Sequence, residues 1–210
     1  MNILESLEWR YATKKFDENE ILSAEAIDRL SKAFNLTATS YGLQPIKLKI
    51  VQNKDIQLKM KDAAMGQVQV STASHVLVLC IENKVDAPFI NSYFDMIKET
   101  QTGGGEGLDR YNKVLIDRFS VKTEEEIKDW ATKQAYLALG NLLTVCAAEK
   151  IDSCPMEGFF PNQIDELLHL DKENLNSVLL LPIGKRALDD KNATHKKVRR
   201  ALVDVVELIS

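Results

Sequence analysis

Two nearly continuous apolar runs, HVLVLCI at residues 75–81 and SVLLLPI at residues 177–183, constrain the fold more than any other feature. A strand that is apolar on both sides has to be covered on both, so these runs predict the central strands of a sheet. In a third segment Ile46, Leu48 and Ile50 alternate with lysines, which indicates a half-buried strand. The length of the chain favours one domain over residues 1–210.

Apolar spacing and capping residues predict the main helices. A short amphipathic helix is expected over residues 2–9, and a second one follows Ser23, a suitable N-cap, and ends by residue 36. Thr123 and Glu126 have capping-box spacing and open a long helix that runs to about residue 148. Its second half is apolar nearly all round, which predicts burial, and polar interruptions argue against a membrane span.

The composition is that of an ordinary folded enzyme, with 45% apolar and 28% charged residues. The formal net charge of -4 argues against a general nucleic-acid binder. The N-terminus lacks the basic start and apolar core of a secretory signal, so we expect a cytoplasmic protein. Cys80, Cys146 and Cys154 lack the spacing of a metal or redox motif, and we expect three reduced thiols.

Two further segments are predicted to lack regular structure or to extend from the domain. The glycines at 103–105 lack the preceding strand and following helix that a phosphate loop requires. This context favours a mobile loop, which could serve as a lid, over the alternative of a phosphate cradle. The C-terminal VDVVELI, at residues 203–209, predicts an extended arm or edge strand that could pair with another subunit.

Side chains that perform chemistry directly are scarce. His75, His169 and His195 lie outside any recognisable zinc or nucleophile motif, so no metal site is expected. If the protein is an enzyme, we therefore expect a cofactor to supply the reactive atom. Basic residues cluster at 10–14 and 197–199, and Lys197 and Arg199 would face the same side of an extended segment and could bind a phosphate. A solvated surface is the alternative explanation.

Six segments follow one another in a characteristic order: RYATKKF at 10–16, TSYGLQP at 39–45, GQVQV at 66–70 shortly before ASH at 73–75, PMEGF at 155–159, LPIG at 181–184 and KVR at 197–199. Taken together they resemble the nitroreductase family of FMN-dependent NAD(P)H oxidoreductases over nearly the whole chain. The resemblance implies an α+β, three-layer fold whose central sheet is mixed, mainly antiparallel and flanked by helices. It also implies a homodimer that exchanges a C-terminal arm.

The resemblance assigns the basic residues to the cofactor. Arg10, Lys197 and Arg199 correspond to the residues that bind the FMN phosphate, for which guanidinium and ammonium groups are suited. Lys14 corresponds to a lysine at the pyrimidine side of the flavin, where positive charge stabilises the reduced ring. Ala12 stands where the family often has serine, which implies one hydroxyl contact fewer.

The resemblance also assigns polar and backbone contacts. Gln67 and Gln69 correspond to side chains at the edge of the flavin ring, and an amide can both donate and accept there; Gln67 is favoured. The other implied contacts come from the first segment, from the loop against the ring and from the partner subunit: Tyr11, Ala12, Pro155, Met156, Glu157 and Gly158, and, across the dimer, the residues matching Ala38, Thr39, Ser40 and Gly42.

The implied reaction is ping-pong. NADH or NADPH reduces the flavin and leaves, and an oxidised molecule, usually a nitroaromatic or a quinone, takes its place. Tyr111, Ile116 and Phe119 are candidates for the pocket wall, with packing of an amphipathic helix as the alternative. A specialised flavin enzyme (pteridine reduction, dehalogenation or flavin breakdown), a non-catalytic flavin-binding protein and a plain structural protein stay open, as does the choice between NADH and NADPH.

Overall fold

The computed structural model of the protein describes residues 2–101 and 105–209, so the predicted glycine loop at 103–105 lies outside the described residues except for Gly105. Gly105 is the N-cap of a helix that begins at Glu106, so the expectation that no helix follows these glycines is wrong. Within this part of the chain the helices are α1 (Ile3–Trp9), α2 (Ala24–Asn35), α3 (Lys54–Ala63), α4 (Gln69–Thr72), α5 (Ala87–Thr100), α6 (Glu106–Ser120), α7 (Glu124–Ala148) and α8 (Pro161–Leu167). The strands are β1 (Ile46–Val51), β2 (His75–Glu82), β3 (Asp152–Ser153) and β4 (Leu175–Gly184).

The four strands form one antiparallel sheet in the order β1-β2-β4-β3. The two continuous apolar runs are β2 and β4, and they lie side by side in the middle of the sheet, as predicted. A single parallel bridge joins Ala12 to Ser153. That bridge adds the segment after α1 to the β3 edge of the sheet.

The side chains of β2 alternate between two apolar clusters on opposite faces of the sheet. One face packs against α3, α4 and α8, and its cluster includes Val76, Val78, Cys80, Leu180, Met60, Val70 and Ile164. The other face packs against α2 and α7, and its cluster includes Leu77, Leu79, Leu179, Leu181, Leu30, Ala135, Ala138 and Leu142. The sheet is therefore the middle of three layers, which confirms the α+β fold that the resemblance implied.

The predicted helix caps are present. The Ser23 hydroxyl accepts a hydrogen bond from Ala26 N at the start of α2, and Thr123 and Glu126 form a complete capping box at the start of α7. The expectation that the second half of α7 is buried all round is wrong for the single chain. Tyr136 and Leu137 are 43% and 55% exposed, because α7 packs on the sheet with its other side only.

The C-terminal segment makes no strand pairing within the described chain. It contains a 3-10 helix at Leu202–Asp204, and Val203 and Leu208 are 85% and 91% exposed. No helix in the ranges 2–101 and 105–209 combines the length and apolar character needed to cross a membrane.

A β-bulge divides β4 where it pairs with β2. Val178 is the additional residue, since Leu79 pairs with Leu179 whereas Cys80 pairs with Ser177. The Asp165 carboxylate of α8 accepts hydrogen bonds from one backbone donor and two side-chain donors beside the bulge. It accepts hydrogen bonds from Ser177 N at 2.8 Å, from Ser177 Oγ at 2.6 Å and from Asn176 Nδ2 at 2.8 Å. One side chain thus fixes the entry of the central strand against a helix.

An Asp165→Ala substitution is expected to lower the free energy of unfolding by about 2–3 kcal/mol, because it leaves a half-buried N–H and two side chains without their charged acceptor. Urea unfolding followed by circular dichroism measures the change. The neighbouring Glu166→Ala, on the exposed side of α8, is the control and should change the value by less than about 0.5 kcal/mol. Equal effects of the two substitutions would contradict the assignment.

A buried ion pair holds the opposite end of β4. Asp152, only 4% exposed, accepts from Arg186 Nε at 2.7 Å and from Arg186 N at 2.9 Å. Arg186 Nη2 lies 2.6 Å from the same carboxylate. It forms an ion pair there but no hydrogen bond, because the angle between the two groups is unfavourable. The guanidinium also stacks on the rings of Trp9 and Tyr11, at 4.4 and 4.6 Å from their centroids. The pair therefore ties the sheet to the segment that follows α1.

Asp152→Asn should destabilise the fold by about 3 kcal/mol, because it leaves the partly buried Arg186 without its counter-ion. The measurement is the midpoint of urea unfolding. Asp129→Asn removes the partner of an exposed helical pair with Lys133 and serves as the control, with an expected loss of about 0.5 kcal/mol or less. If the two substitutions cost the same, the buried pair does not contribute as described.

Candidate cofactor site

Residues from the two ends of the chain enclose one cavity of about 490 Å³. Arg10, Lys197 and Arg199, here called the cation cluster, all line it, as does Lys14. The remaining lining residues are Glu8, Trp9, Tyr11, Ala12, Asn192, Ala193, His195, Lys196 and Val198. Two basic segments that are nearly 190 residues apart in sequence therefore converge in space.

The cation cluster is electrostatically unfavourable by itself. Burial and the charge of Arg199 lower the pKa of Arg10. Burial, Arg10 and Arg199 lower the pKa of Lys197. Among the described residues that line the cavity, Glu8 is the one carboxylate against five Lys and Arg side chains. Such a concentration of positive charge suits an anion with several acceptor oxygens.

One donor of the cluster also lacks an acceptor. Arg10 Nε is buried and finds no hydrogen-bond partner among the described residues. A buried donor without an acceptor is costly, so an anion in the cavity would relieve the cost. The Lys197 ammonium donates to the Arg10 carbonyl oxygen, which holds the two basic segments against each other.

Local structure explains how Arg10 and Lys14 reach the cavity. Helix α1 ends at Trp9, and Arg10 is its extended C-cap. The chain then runs along the sheet edge, where Thr13 N donates to Ser153 O at 3.3 Å beside the Ala12 bridge. Residues of alternating parity point to opposite sides of an extended segment. Thr13 is accordingly buried and Ala12 and Lys14 line the cavity, but Tyr11 departs from this alternation and lines the cavity as well.

Gln67, Gln69 and Gly158 form a second polar group. Gln67 Nε2 donates to Gly158 O at 2.8 Å, and Gln69 Nε2 donates to Gln67 Oε1 at 2.9 Å. Gln69 is 4% exposed and lies behind the half-buried Gln67, so neither amide simply faces solvent. A Cβ at position 158 would lie 3.3 Å from Gln67 Nε2, so a larger residue there would press on this amide.

Lys14 and Cys154 connect this polar group to the cavity. Lys14 Nζ lies 3.7 Å from Cys154 Sγ, and Gln69 Nε2 lies 4.0 Å from the same sulfur. Burial raises the pKa of Cys154, while Lys14 opposes the shift. The three thiols are free and buried, as the sequence led us to expect. The residues implied for the phosphate and for the ring edge therefore belong to one continuous region.

The residues of the loop at 155–158 differ in burial and in hydrogen bonding. Pro155 and Gly158 are half-buried, but the Met156 side chain is 5% exposed and its N–H and C=O both bond to Leu180. Met156 therefore has no free polar group and acts by fixing the loop to the sheet. Glu157 is exposed, and its carboxylate accepts from Tyr136 Oη at 2.7 Å.

The segment 38–42 lies elsewhere in the chain and does not line the cavity. Ser40 N donates to Gln134 Oε1 of α7 at 2.9 Å, and the Thr39 hydroxyl accepts from Gln44 N. Gly42 has φ +73°, and a Cβ there would collide with the Tyr93 hydroxyl. Ala38 is exposed. The segment is held by these contacts, but within one chain it is not part of the cavity that Arg10 lines.

The three candidates for the pocket wall also lie outside the cavity. Phe119 and Ile116 pack in an apolar cluster with Tyr41 and Trp130, and Tyr111 packs edge-on against Phe94. Within one chain these contacts are those of helix packing, the alternative that the sequence offered. Ile116 and Phe119 border a separate cavity of about 310 Å³.

Sequence reasoning missed Asp152, Arg186 and Asp190, which hold the segment after α1 in place. Tyr11, for example, donates to Asp190 at 3.0 Å across 179 positions of sequence. No periodicity or short motif reports a contact of that range, and aligned relatives with paired substitutions would be the signal to seek.

Comparison with known proteins supports one assignment. The family model described as "Nitroreductase family" matches residues 7–185 of the chain. "Putative NAD(P)H nitroreductase SERP2086" of Staphylococcus epidermidis is 31% identical over 215 residues, covering 99% of this chain and 96% of that protein. "Putative NAD(P)H nitroreductase YfkO" of Bacillus subtilis is 30% identical over 220 residues, covering 99% and 97%.

Solved structures share the fold. The nitroreductase ydfN of Bacillus subtilis superimposes with a TM-score of 0.87 at 21% identity, covering 98% of each chain. A nitroreductase of Exiguobacterium sibiricum, solved in complex with FMN, has a TM-score of 0.85 at 23% identity and covers 100% of this chain and 98% of its own. With a family match over most of its length and relatives at 30% identity or more, the chain belongs to the nitroreductase family.

Proposed function

We propose that the protein is an NAD(P)H-dependent FMN oxidoreductase that reduces nitroaromatics, quinones or related electrophilic small molecules. The observation that carries the proposal is the cation cluster, whose buried Arg10 Nε lacks an acceptor, beside the amide and glycine group of Gln67 and Gly158. Family membership supports it, as does the FMN in the Exiguobacterium sibiricum structure. A phosphate dianion has the charge and the acceptors that the cluster lacks.

Different residues of the candidate site would bind different parts of FMN. Arg10, Lys197 and Arg199 would bind the phosphate, and Tyr11 and Ala12 would form the wall beside it. Gln67, supported from behind by Gln69, would bind the edge of the ring, and the loop from Pro155 to Gly158 would lie against its face. The amides can match both donors and acceptors of the ring.

FMN, when bound, accepts hydride from NADH or NADPH and passes it to an acceptor that binds after the nicotinamide has left. Lys14 would stabilise the negative charge that reduction places on the ring, since it lies between the cation cluster and Cys154. The protein otherwise positions the reactants, and no side chain of the site is required as nucleophile or acid.

We further infer that the protein is a homodimer in which Ala38, Thr39, Ser40 and Gly42 complete the site of the partner subunit. The supporting observation is the large apolar surface that a single chain leaves exposed. It includes one side of α7, most of α1 and the C-terminal segment 201–209, in which every residue is exposed. The C-terminal segment would be the exchanged arm.

The proposed activity predicts a yellow protein whose visible absorbance is bleached by NADH or NADPH under anaerobic conditions and returns when menadione or a nitroaromatic is added. Bleaching without acceptor turnover would favour a specialised flavin enzyme. Flavin that stays oxidised would favour a binding protein. A colourless protein that cannot take up FMN would overturn the proposal.

A charge substitution tests the phosphate site directly. Lys197→Ala should weaken FMN binding by about tenfold or more, because it removes a charged donor to the phosphate. Fluorescence titration of the flavin measures the Kd. Lys15→Ala is the matched control, since Lys15 is exposed and pairs with Asp189 outside the cavity. The site assignment fails if Lys197→Ala binds FMN as well as Lys15→Ala does.

Removal of residues 201–210 should shift the protein from dimer towards monomer and lower FMN retention, because it deletes the proposed arm. Light scattering during gel filtration gives the mass. Leu188→Ser, at another fully exposed apolar position, is the control and should leave the dimer intact. A truncated chain that stays dimeric with full FMN content would contradict the exchanged arm.

A further inference from the structure

We propose that Asp190 is the positioning residue that assembles the phosphate site from the two ends of the chain. Asp190 does not line the cavity. It acts through the segments that carry Arg10 and Lys14 on one side and Lys197 and Arg199 on the other. This inference rests on the proposed function, because the phosphate in question is that of FMN.

One oxygen of the Asp190 carboxylate holds the N-terminal segment. Oδ2 accepts from Lys14 N at 2.9 Å, from Lys15 N at 3.3 Å and from Tyr11 Oη at 3.0 Å. These three donors lie near the two ends of the segment 11–15. Their common acceptor therefore fixes the path of this segment past the cavity. Asp190 is 6% exposed, so water does not replace these bonds easily.

The other oxygen holds the C-terminal segment. Oδ1 accepts from Asn192 N at 3.0 Å and caps the 3-10 helix Lys191–Thr194. Asn192 and Ala193 line the cavity, and the chain leaves this helix directly into His195 and the cation cluster. One carboxylate therefore sets the position of both basic segments relative to each other.

The contacts require an ionised carboxylate. All four hydrogen bonds to the Asp190 carboxylate come from donors, and an ionised carboxylate is a pure acceptor. Burial alone would raise the pKa of Asp190, but the N–H groups of Lys14 and Asn192 and the Tyr11 hydroxyl outweigh it, so the pKa lies below its usual range. An asparagine of the same shape would turn an N–H towards some of these donors and lose bonds on one side of the carboxylate.

The test compares Asp190→Asn with Asp189→Asn by titrating flavin-free protein with FMN and with riboflavin, which lacks the phosphate. Asp189 is the adjacent carboxylate, but its side chain is 68% exposed and pairs only with Lys15 at the surface. Asp190→Asn should raise the Kd of FMN by about tenfold or more and that of riboflavin by less than about threefold. Asp189→Asn should change neither value beyond about twofold.

The comparison of two flavins separates positioning from general destabilisation, since a loosened fold would weaken both ligands by the same factor. An equal loss for FMN and riboflavin, or an unchanged Kd for FMN, overturns the inference. If Asp190→Asn does not fold, Asp190→Glu is measured instead, since it keeps the charge but displaces it by one methylene. An unchanged preference for FMN over riboflavin in that variant would likewise overturn it.

Failure of this inference is distinguishable from failure of the proposed function. A wild-type protein that binds neither flavin contradicts the proposed function itself. A wild-type protein that prefers FMN, with Asp190→Asn retaining the same preference, contradicts only the role given to Asp190.

Discussion

The antiparallel pairing of β2 with β4 is the constraint on which the other elements depend. Both strands are apolar on two faces, so helices have to cover each face before the pairing is stable. The same pairing determines where the chain leaves the sheet. Past Gly184 it continues into Arg186 and Asp190, and the β3 edge beside it receives the segment after α1. The candidate site lies where the chain after Gly184 meets the segment after α1.

Local features were predictable and long-range ones were not. The two apolar runs, the Ser23 cap and the capping box of α7 depend on residues within a few positions of one another, and each appears as predicted. Strand β1 also forms where predicted, but its alternation holds only for Ile46 and Leu48, because Ile50 is 37% exposed. The exposed side of α7 was missed because apolar spacing cannot say which layer covers a residue. The hydrogen bonds between the Met156 backbone and Leu180 were missed for a related reason, since they depend on how the loop pairs with strand β4.

The candidate site shows the same division. The order of the motifs indicated which residues belong together, and Arg10, Lys14, Lys197 and Arg199 do share a cavity. The order of the motifs could not indicate that Asp190 and the Asp152–Arg186 pair hold the segment that carries Arg10 and Lys14 in place. Repulsion within the cation cluster opposes folding, and a ligand that neutralises it binds only the folded chain. Such a ligand would therefore stabilise the protein by mass action, beyond its role in chemistry.

The cavity joins residues 8–14 to residues 192–199, and this has a consequence for biosynthesis. A ribosome makes the chain from its N-terminus, so the cavity-lining segment 8–14 is translated well before the segment 192–199 that completes the proposed anion site. A product terminated early could fold much of the sheet but would lack Lys197 and Arg199. Binding of the proposed anion would then stabilise only chains that extend past Arg199.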